Sequence, residues 1–419
     1  MFVKQLNSIL NSDDKKRLAG NFLSLIVLRG FQFLIPLITL PYLVRTIGIE
    51  KFGLVNFSLS LCLYFGAVIQ FGFGVTATRE IARHRDDLFL ISKIYSATIT
   101  ASICLALACI AVASIVILFF NKFNTHLHLY FFSLLFVVFQ SLFPIWFFQG
   151  MERMKYITFL SLSTNIIFLT SLFLFVKNQD DYVLVPLLNA GAALTTFFLS
   201  VILIKKQFKV VYSTPKINEL RSIFTEGRHA FISQLAPNFY NNSTVFLLGI
   251  FTNNTTVGLY TAAIKVVDSA ISLGYILSNT FLPYLSRNMD KHDFFRKIMI
   301  ASGSLLTLLI FIFADLIALF LFSGDNIEIA LYIRWLAVCI FLVFSTLIFG
   351  PNYLMLIGQD HVTKNIALYT SICFFIFALL AISSFGIWGA IATLLGARMT
   401  IALLQYIYFL KLSRLGHLK

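Results

Sequence analysis

IYSATITASICLALACIAVASIVILFF, residues 94–120, contains no charged side chain. A helix needs about 20 apolar residues to cross the ~30 Å hydrocarbon core of a bilayer, so this run is long enough to span one. Similar stretches recur at approximately 19–43, 53–77, 127–149, 157–176, 182–204, 229–251, 257–284, 298–322, 329–357, 365–384 and 387–410. The pattern predicts an all-α polytopic membrane protein with about 12 transmembrane helices. Composition points the same way. Of 419 residues, 59% are hydrophobic and 12% charged, 47 are phenylalanine, and the mean hydropathy is +0.87. A soluble domain carries about 25% charged residues, and so many phenylalanines are better accommodated against lipid than in a soluble core.

Formal net charge is +14, from 32 Lys and Arg against 18 Asp and Glu. In a soluble chain this excess would suggest a nucleic-acid partner. Here the basic residues lie between apolar runs and no nucleic-acid motif accompanies them, which excludes that class. They concentrate in alternate connections, at 79–93, 153–155, 205–228 and 287–297, whereas the intervening loops hold Arg45, Lys51, Lys122 and Lys177. The positive-inside rule then predicts a multi-pass membrane protein with both termini cytoplasmic. The first apolar run is too long for a signal peptide and lacks a small-residue cleavage site, so no segment is expected to be removed. The five cysteines all fall inside apolar runs and read as small buried hydrophobes.

The longest connection divides the chain into an expected N-terminal six-helix lobe (1–204), a basic cytoplasmic linker (205–228) and a C-terminal six-helix lobe (229–419). Two short echoes suggest a parallel duplication. Phe52-Gly53-Leu54-Val55 opens the second span as Val257-Gly258-Leu259-Tyr260 opens the eighth, and Gly150-Met151-Glu152 follows the fourth as Gly358-Gln359-Asp360 follows the tenth. Pro36, Pro41, Pro237 and Pro283 are expected to kink their helices.

A charge at mid-bilayer costs about 2.5–3.5 kcal/mol on insertion scales, so intramembrane ions are the first functional candidates. Arg29, Lys265, Asp268 and Arg398 fall near span centres, and Asp315 lies toward the outer part of span nine. Thr261, Lys265, Asp268, Ser272, Tyr275 and Asn279 recur every three or four residues and share one helix face. Gln234, Asn238, Asn241 and Asn242 do the same on span seven, as do Arg29 with Gln32 on span one and Asn56, Ser60 and Tyr64 on span two. Arg29, Gln32, Asn56, Asn238, Asn242, Lys265 and Arg398 are therefore candidate substrate-binding residues, with Asp268 and Asp315 as candidates for ion coupling. The bland alternatives are an internal Lys265–Asp268 ion pair and interhelical hydrogen bonding along the polar stripes. The cationic excess suits an anionic polar substrate, since arginine offers a planar fork to phosphate oxygens. No P-loop, catalytic motif, metal-ligand set or cofactor fingerprint is legible, so a non-enzymatic transporter without cofactor or metal is expected.

The chain resembles the bacterial O-antigen flippases of the polysaccharide transporter family, within the multidrug/oligosaccharidyl-lipid/polysaccharide (MOP) exporter superfamily. The resemblance rests on IPLITLPYLVRTIGIEKFG (35–53), FGFGVTATREIA (71–82), IWFFQGMERMK (145–155), VGLY (257–260) and LPYLSR (282–287). It implies a MATE-like fold of two six-helix lobes, multi-pass in the bacterial inner (cytoplasmic) membrane. It also implies alternating-access transfer of undecaprenyl-pyrophosphate-linked O-antigen oligosaccharide from the cytoplasmic to the periplasmic leaflet, driven by an ion gradient. Other polysaccharide assembly proteins are candidate partners. Two other readings stay open. A polysaccharide polymerase or ligase of the same pathway should expose a large outer loop with catalytic residues. A small-molecule exporter on the same fold, if its cargo were cationic, should have an acidic cavity.

Overall fold

Describing residues 13–241, 243–322 and 327–414, with side chains at 30, 31, 34–228, 230, 231, 243–321 and 328–412, the computed structural model is helical, with no strand among the described residues. The helices are α1 (Asp13–Gln70), α2 (Phe73–Arg83), α3 (Leu88–Phe119), α4 (Asn121–Asn124), α5 (Leu127–Leu142), α6 (Ile145–Gly150), α7 (Met154–Phe175) and α8 (Leu184–Gln207). The second half holds α9 (Ile217–Asn241), α10 (Ser243–Phe251), α11 (Asn254–Leu285), α12 (His292–Ile312), α13 (Ala314–Phe322), α14 (Ile327–Phe349), α15 (Asp360–Phe385) and α16 (Ile387–Arg414). Ten of the described helical stretches are long and apolar enough to cross a membrane. The first of them, Leu34–Arg83, contains parts of the first two expected spans, which makes the ten compatible with about twelve.

The outward faces explain the phenylalanine usage. On α15, Tyr369, Ile372, Ile376 and Leu380 are all exposed at three- or four-residue spacing. Such a continuous apolar stripe would drive a soluble protein to aggregate; in a bilayer it is the lipid-facing surface. Cys104 and Cys373 lie on such exposed faces, while Cys62, Cys109 and Cys339 are buried, so the reading of all five cysteines as buried holds for three.

The first helix breaks inside the connection expected between spans one and two, and not at its prolines. α1 runs through Pro36 and Pro41 with helical dihedrals and leaves them at Gly48 (φ 78°, ψ 160°). That region is open essentially to glycine alone, so a residue lacking a Cβ ends span one and lets span two begin.

The chain forms two compact units, each discontinuous in sequence. One comprises Met1–Phe31, Cys62–Phe175 and Val183–Gln234, and the other Gln32–Leu61, Val176–Tyr182 and Leu235–Lys419. In the first unit, α2 is amphipathic. Phe73, Thr76, Ala77 and Ile81 are buried at helical spacing, and Arg79 and Arg83 face outward. Its buried face meets α6: Phe73, Ile81, Tyr95, Trp146, Phe147 and Phe148 share one aromatic core, and the Thr78 hydroxyl donates to the Trp146 carbonyl at 3.2 Å. The two motif stretches 71–82 and 145–155 thus pack on one another. The expected linker is ordered rather than loose. Residues 208–216 run along α3, where Val211 N and Ser213 N donate to Ser92 Oγ (3.2 Å) and Ser96 Oγ (3.0 Å). Residues 217–228 are the start of α9.

In the second unit, the second half of α1 meets the start of α11 backbone to backbone. A Cβ on Gly53 would overlap the Asn254 carbonyl and lie 2.6 Å from Gly258 N, and one on Gly258 would overlap the Ile49 carbonyl. Positions 49 and 53 correspond to 254 and 258 at one constant offset, so the two contacts are equivalent by a local two-fold relation. The second echo is displaced. Arg153 N donates to Phe148 O and Gln359 N to Leu354 O, both at 2.8 Å, following the positive-φ residues Glu152 and Gly358. Gly358 is therefore the counterpart of Glu152, two residues away from the Gly150 match read in the sequence.

Candidate functional site

Span eight, α11, carries the polar face expected of it over most of its length. Asp268, Tyr275 and Asn279 are exposed and Ser272 is half-buried, whereas Thr261, nearer the packed start, is buried. The start is closed because Gly53 and Gly258 bring the helices too near for side chains to intervene.

Asp268 pairs across helices, with Arg398 of α16 at 3.3 Å; the Arg398 side chain is 13% exposed and that of Asp268 53%. The alternative i, i+3 pair of Lys265 with Asp268 does not form. Lys265 turns to the second half of α1, where its Nζ lies 5.0 Å from the centre of the Phe52 ring. A cation over an aromatic face recovers part of the hydration lost on burial. Asn56, one turn along from Phe52, is buried and donates Nδ2 to the Phe52 carbonyl at 2.7 Å. The structure thus brings Asn56, Lys265, Asp268 and Arg398 into neighbouring turns of one unit, with two cationic groups to one carboxylate. Asp268 neutralises one of the two cations, and its half-exposed carboxylate is the open end of the pair.

Asp315 lies apart from this group. It forms an ion pair with Arg334, joining α13 to α14, and nearby the Arg45 guanidinium donates to the Phe320 carbonyl near the end of α13. Arg29, Gln32 and Asn238 sit on α1 and α9, but their side chains lie outside the described residues, as does Asn242 entirely.

Among the cavities of the first unit, two are lined by more than one helix. One, of about 350 Å³, lies between α2, α3 and α9 and is lined by Glu80, Lys93, Glu219 and Glu226 among others. Its charges are engaged with protein groups: Lys93 with Glu219 at 3.0 Å, Glu80 with Arg83 at 3.1 Å, and Glu226 with the Ser222 hydroxyl at 2.8 Å. The hydrogen bond from the Lys93 ammonium holds the Glu219 carboxyl below the ordinary carboxylate range. This cavity is a docking seam for the start of α9. The other, of about 270 Å³, is lined by Gln70, Gln140 and Gln149 with serines and aromatics. Sequence reasoning passed over these three glutamines because each stands near a helix end, where polar side chains are commonplace.

The described residues thus form a helical membrane protein that carries Lys265, Asp268 and Arg398 within its apolar helices. Solved structures share the fold along nearly the whole chain. A lipid II flippase, MurJ, in an inward closed conformation superposes with a TM-score of 0.67 at 13% identity, covering 94% of this chain and 87% of that one. An outward-facing multidrug resistance MATE transporter of the MOP superfamily gives 0.62 at 16% identity, covering 97% and 98%. The family model described as "Polysaccharide biosynthesis protein" matches residues 18–289, and the chain belongs to that family. It is 28% identical over 276 residues, 66% of each chain, to a protein of Escherichia coli (strain K12) named "Putative O-antigen transporter". It is 24% identical over 401 residues, 91% of this chain and 98% of the relative, to a protein of the same name from Shigella dysenteriae.

Proposed function

We propose that this protein is a flippase that moves undecaprenyl-pyrophosphate-linked O-antigen oligosaccharide units from the cytoplasmic to the periplasmic leaflet of the bacterial inner membrane. The observation that carries this reading is the match, over nearly its full length, to a relative named as an O-antigen transporter. The Lys265 and Arg398 cations support it chemically, because a pyrophosphate is the anionic part of such a substrate.

Transport proceeds by alternating access between two six-helix lobes, 1–204 and 229–419, joined through 205–228, with both termini cytoplasmic. Arg29, Lys265 and Arg398 receive the pyrophosphate, and Gln32, Asn56, Asn238 and Asn242 add hydrogen bonds. Asp268 and Asp315 couple the cycle to an ion gradient, each by exchanging its guanidinium partner for a proton or cation. The protein carries out no covalent step of its own and hands its product to polysaccharide assembly proteins.

The test is deletion of the gene in its host, followed by analysis of surface polysaccharide. Loss of long-chain polysaccharide, with lipid-linked units accumulating in the cytoplasmic leaflet and wild-type rescue, is the expected result. Accumulation in the periplasmic leaflet would instead indicate a polymerase or ligase. Unchanged polysaccharide would favour a small-molecule exporter, the activity named for the MATE structures that share the fold.

A further inference from the structure

The smaller cavity of the first unit sits where α1 ends, α2 begins and α5 gives way to α6, at the end of the unit that carries Arg153 and Lys155. Both motif stretches that build the aromatic core contribute to it. None of its lining residues is ionisable, in contrast to the neighbouring carboxylate-lined seam. The side-chain amides of Gln70, Gln140 and Gln149 make no hydrogen bond among the described residues. Ser141 stands beside them, and Phe143 and Trp146 supply an apolar wall.

Gln70 and Gln140 are exposed and Gln149 is half-buried, so their amides are open to a polar molecule that enters the cavity. Phosphate is a poor fit, since it would bring charge to a wall with no cation. A neutral polyhydroxylated ring fits on each count. Its hydroxyls can donate to amide carbonyls and accept from amide N–H groups, and its C–H face can lie on an aromatic wall. At ~30 Å³ per water, 270 Å³ holds about nine waters, the size of a single sugar ring rather than a chain. A sugar that replaces such waters keeps their hydrogen bonds while releasing them.

We propose that the pocket formed by Gln70, Gln140, Gln149, Ser141, Phe143 and Trp146 is a sugar-binding subsite. It holds one neutral pyranose ring of the lipid-linked cargo. The assignment rests on the flippase reading above and adds the sugar contact to it.

The experiment measures affinity of the purified full chain in nanodiscs for two probes, undecaprenyl pyrophosphate and undecaprenyl pyrophosphate bearing one N-acetylhexosamine. Wild type should bind the sugar-bearing lipid about tenfold more tightly, the gain from two ordinary hydrogen bonds. The Gln140→Ala/Gln149→Ala variant should lose that gain while keeping its affinity for the sugar-free lipid, which also reports that it has folded. If the double variant loses sugar-free binding as well, Gln70→Ala, on a different helix, is read by the same ratio. A gain retained in the variants overturns the subsite. Equal wild-type affinity for both lipids overturns the subsite and leaves the flippase reading standing, whereas binding of neither lipid overturns both.

Discussion

Gly53 and Gly258 each occupy the place where the partner segment's backbone passes: the first against Asn254 and Gly258 N, the second against Ile49. Each is the other's counterpart in the two halves of the sequence, so a single pair of hydrogen side chains sets how closely the second half of α1 and the start of α11 approach. Gly53→Ala or Gly258→Ala should each destabilise the protein by about 1–3 kcal/mol through overpacking. A lowered midpoint in thermal unfolding, seen with both variants, is the expected outcome. A midpoint unchanged in either would mean that the two helices do not meet through these glycines.

Asp268 and Arg398 form a charge pair whose carboxylate end is open. Removing one member of a fully buried pair costs about 3–5 kcal/mol. With Asp268 half exposed, Arg398→Ala should cost only about 1–2 kcal/mol of stability. Its larger effect should be on translocation, because the variant loses a cation. Asp268→Asn should keep binding of undecaprenyl pyrophosphate and abolish dependence on an imposed ion gradient. Comparing equilibrium binding with gradient-driven transport separates the two.

Lys265 offers charge without planar geometry, so Lys265→Arg should retain most of the affinity for undecaprenyl pyrophosphate and Lys265→Gln should lower it about tenfold. Equal affinity in Lys265→Gln and wild type would remove this lysine from the binding group.

Lys93 and Glu219 dock the start of α9 on α3. Because the folded-state pKa of Glu219 is depressed, its contribution is present above the unfolded carboxyl value of about 4.3 and is lost as pH falls through the lower folded value. The distance between spin labels at Phe89 and Arg221 should stay fixed from pH 8 to about pH 5 and broaden below about pH 4. In Glu219→Gln the low-pH change should vanish.

Much of the fold was legible because a bilayer demands long apolar runs, and residues 94–120 announce one without ambiguity. So was the first break, since Gly48 falls between the spans read at 19–43 and 53–77. The kinks expected at Pro36 and Pro41 are the part that failed: a helix within a packed bundle can absorb a proline, whereas the dihedrals at Gly48 cannot be absorbed by a helix at all. The candidate charges were found by their cost in lipid, yet their pairing was hidden. Arg398 meets its carboxylate 130 residues away in sequence, and helical spacing on one span speaks only of its own face. The three glutamines were passed over because each stands near the end of a separate helix, where polar side chains are commonplace, and only folding brings them around one cavity.

The most direct test places the purified protein in liposomes with a fluorescent undecaprenyl-pyrophosphate-linked oligosaccharide and follows the fraction accessible to an external quencher under an imposed ion gradient. Protein-dependent movement of the lipid-linked oligosaccharide between leaflets, reduced in Arg398→Ala, is the result this account predicts. Failure to move it, with gradient-driven transport of a small soluble molecule instead, would contradict it.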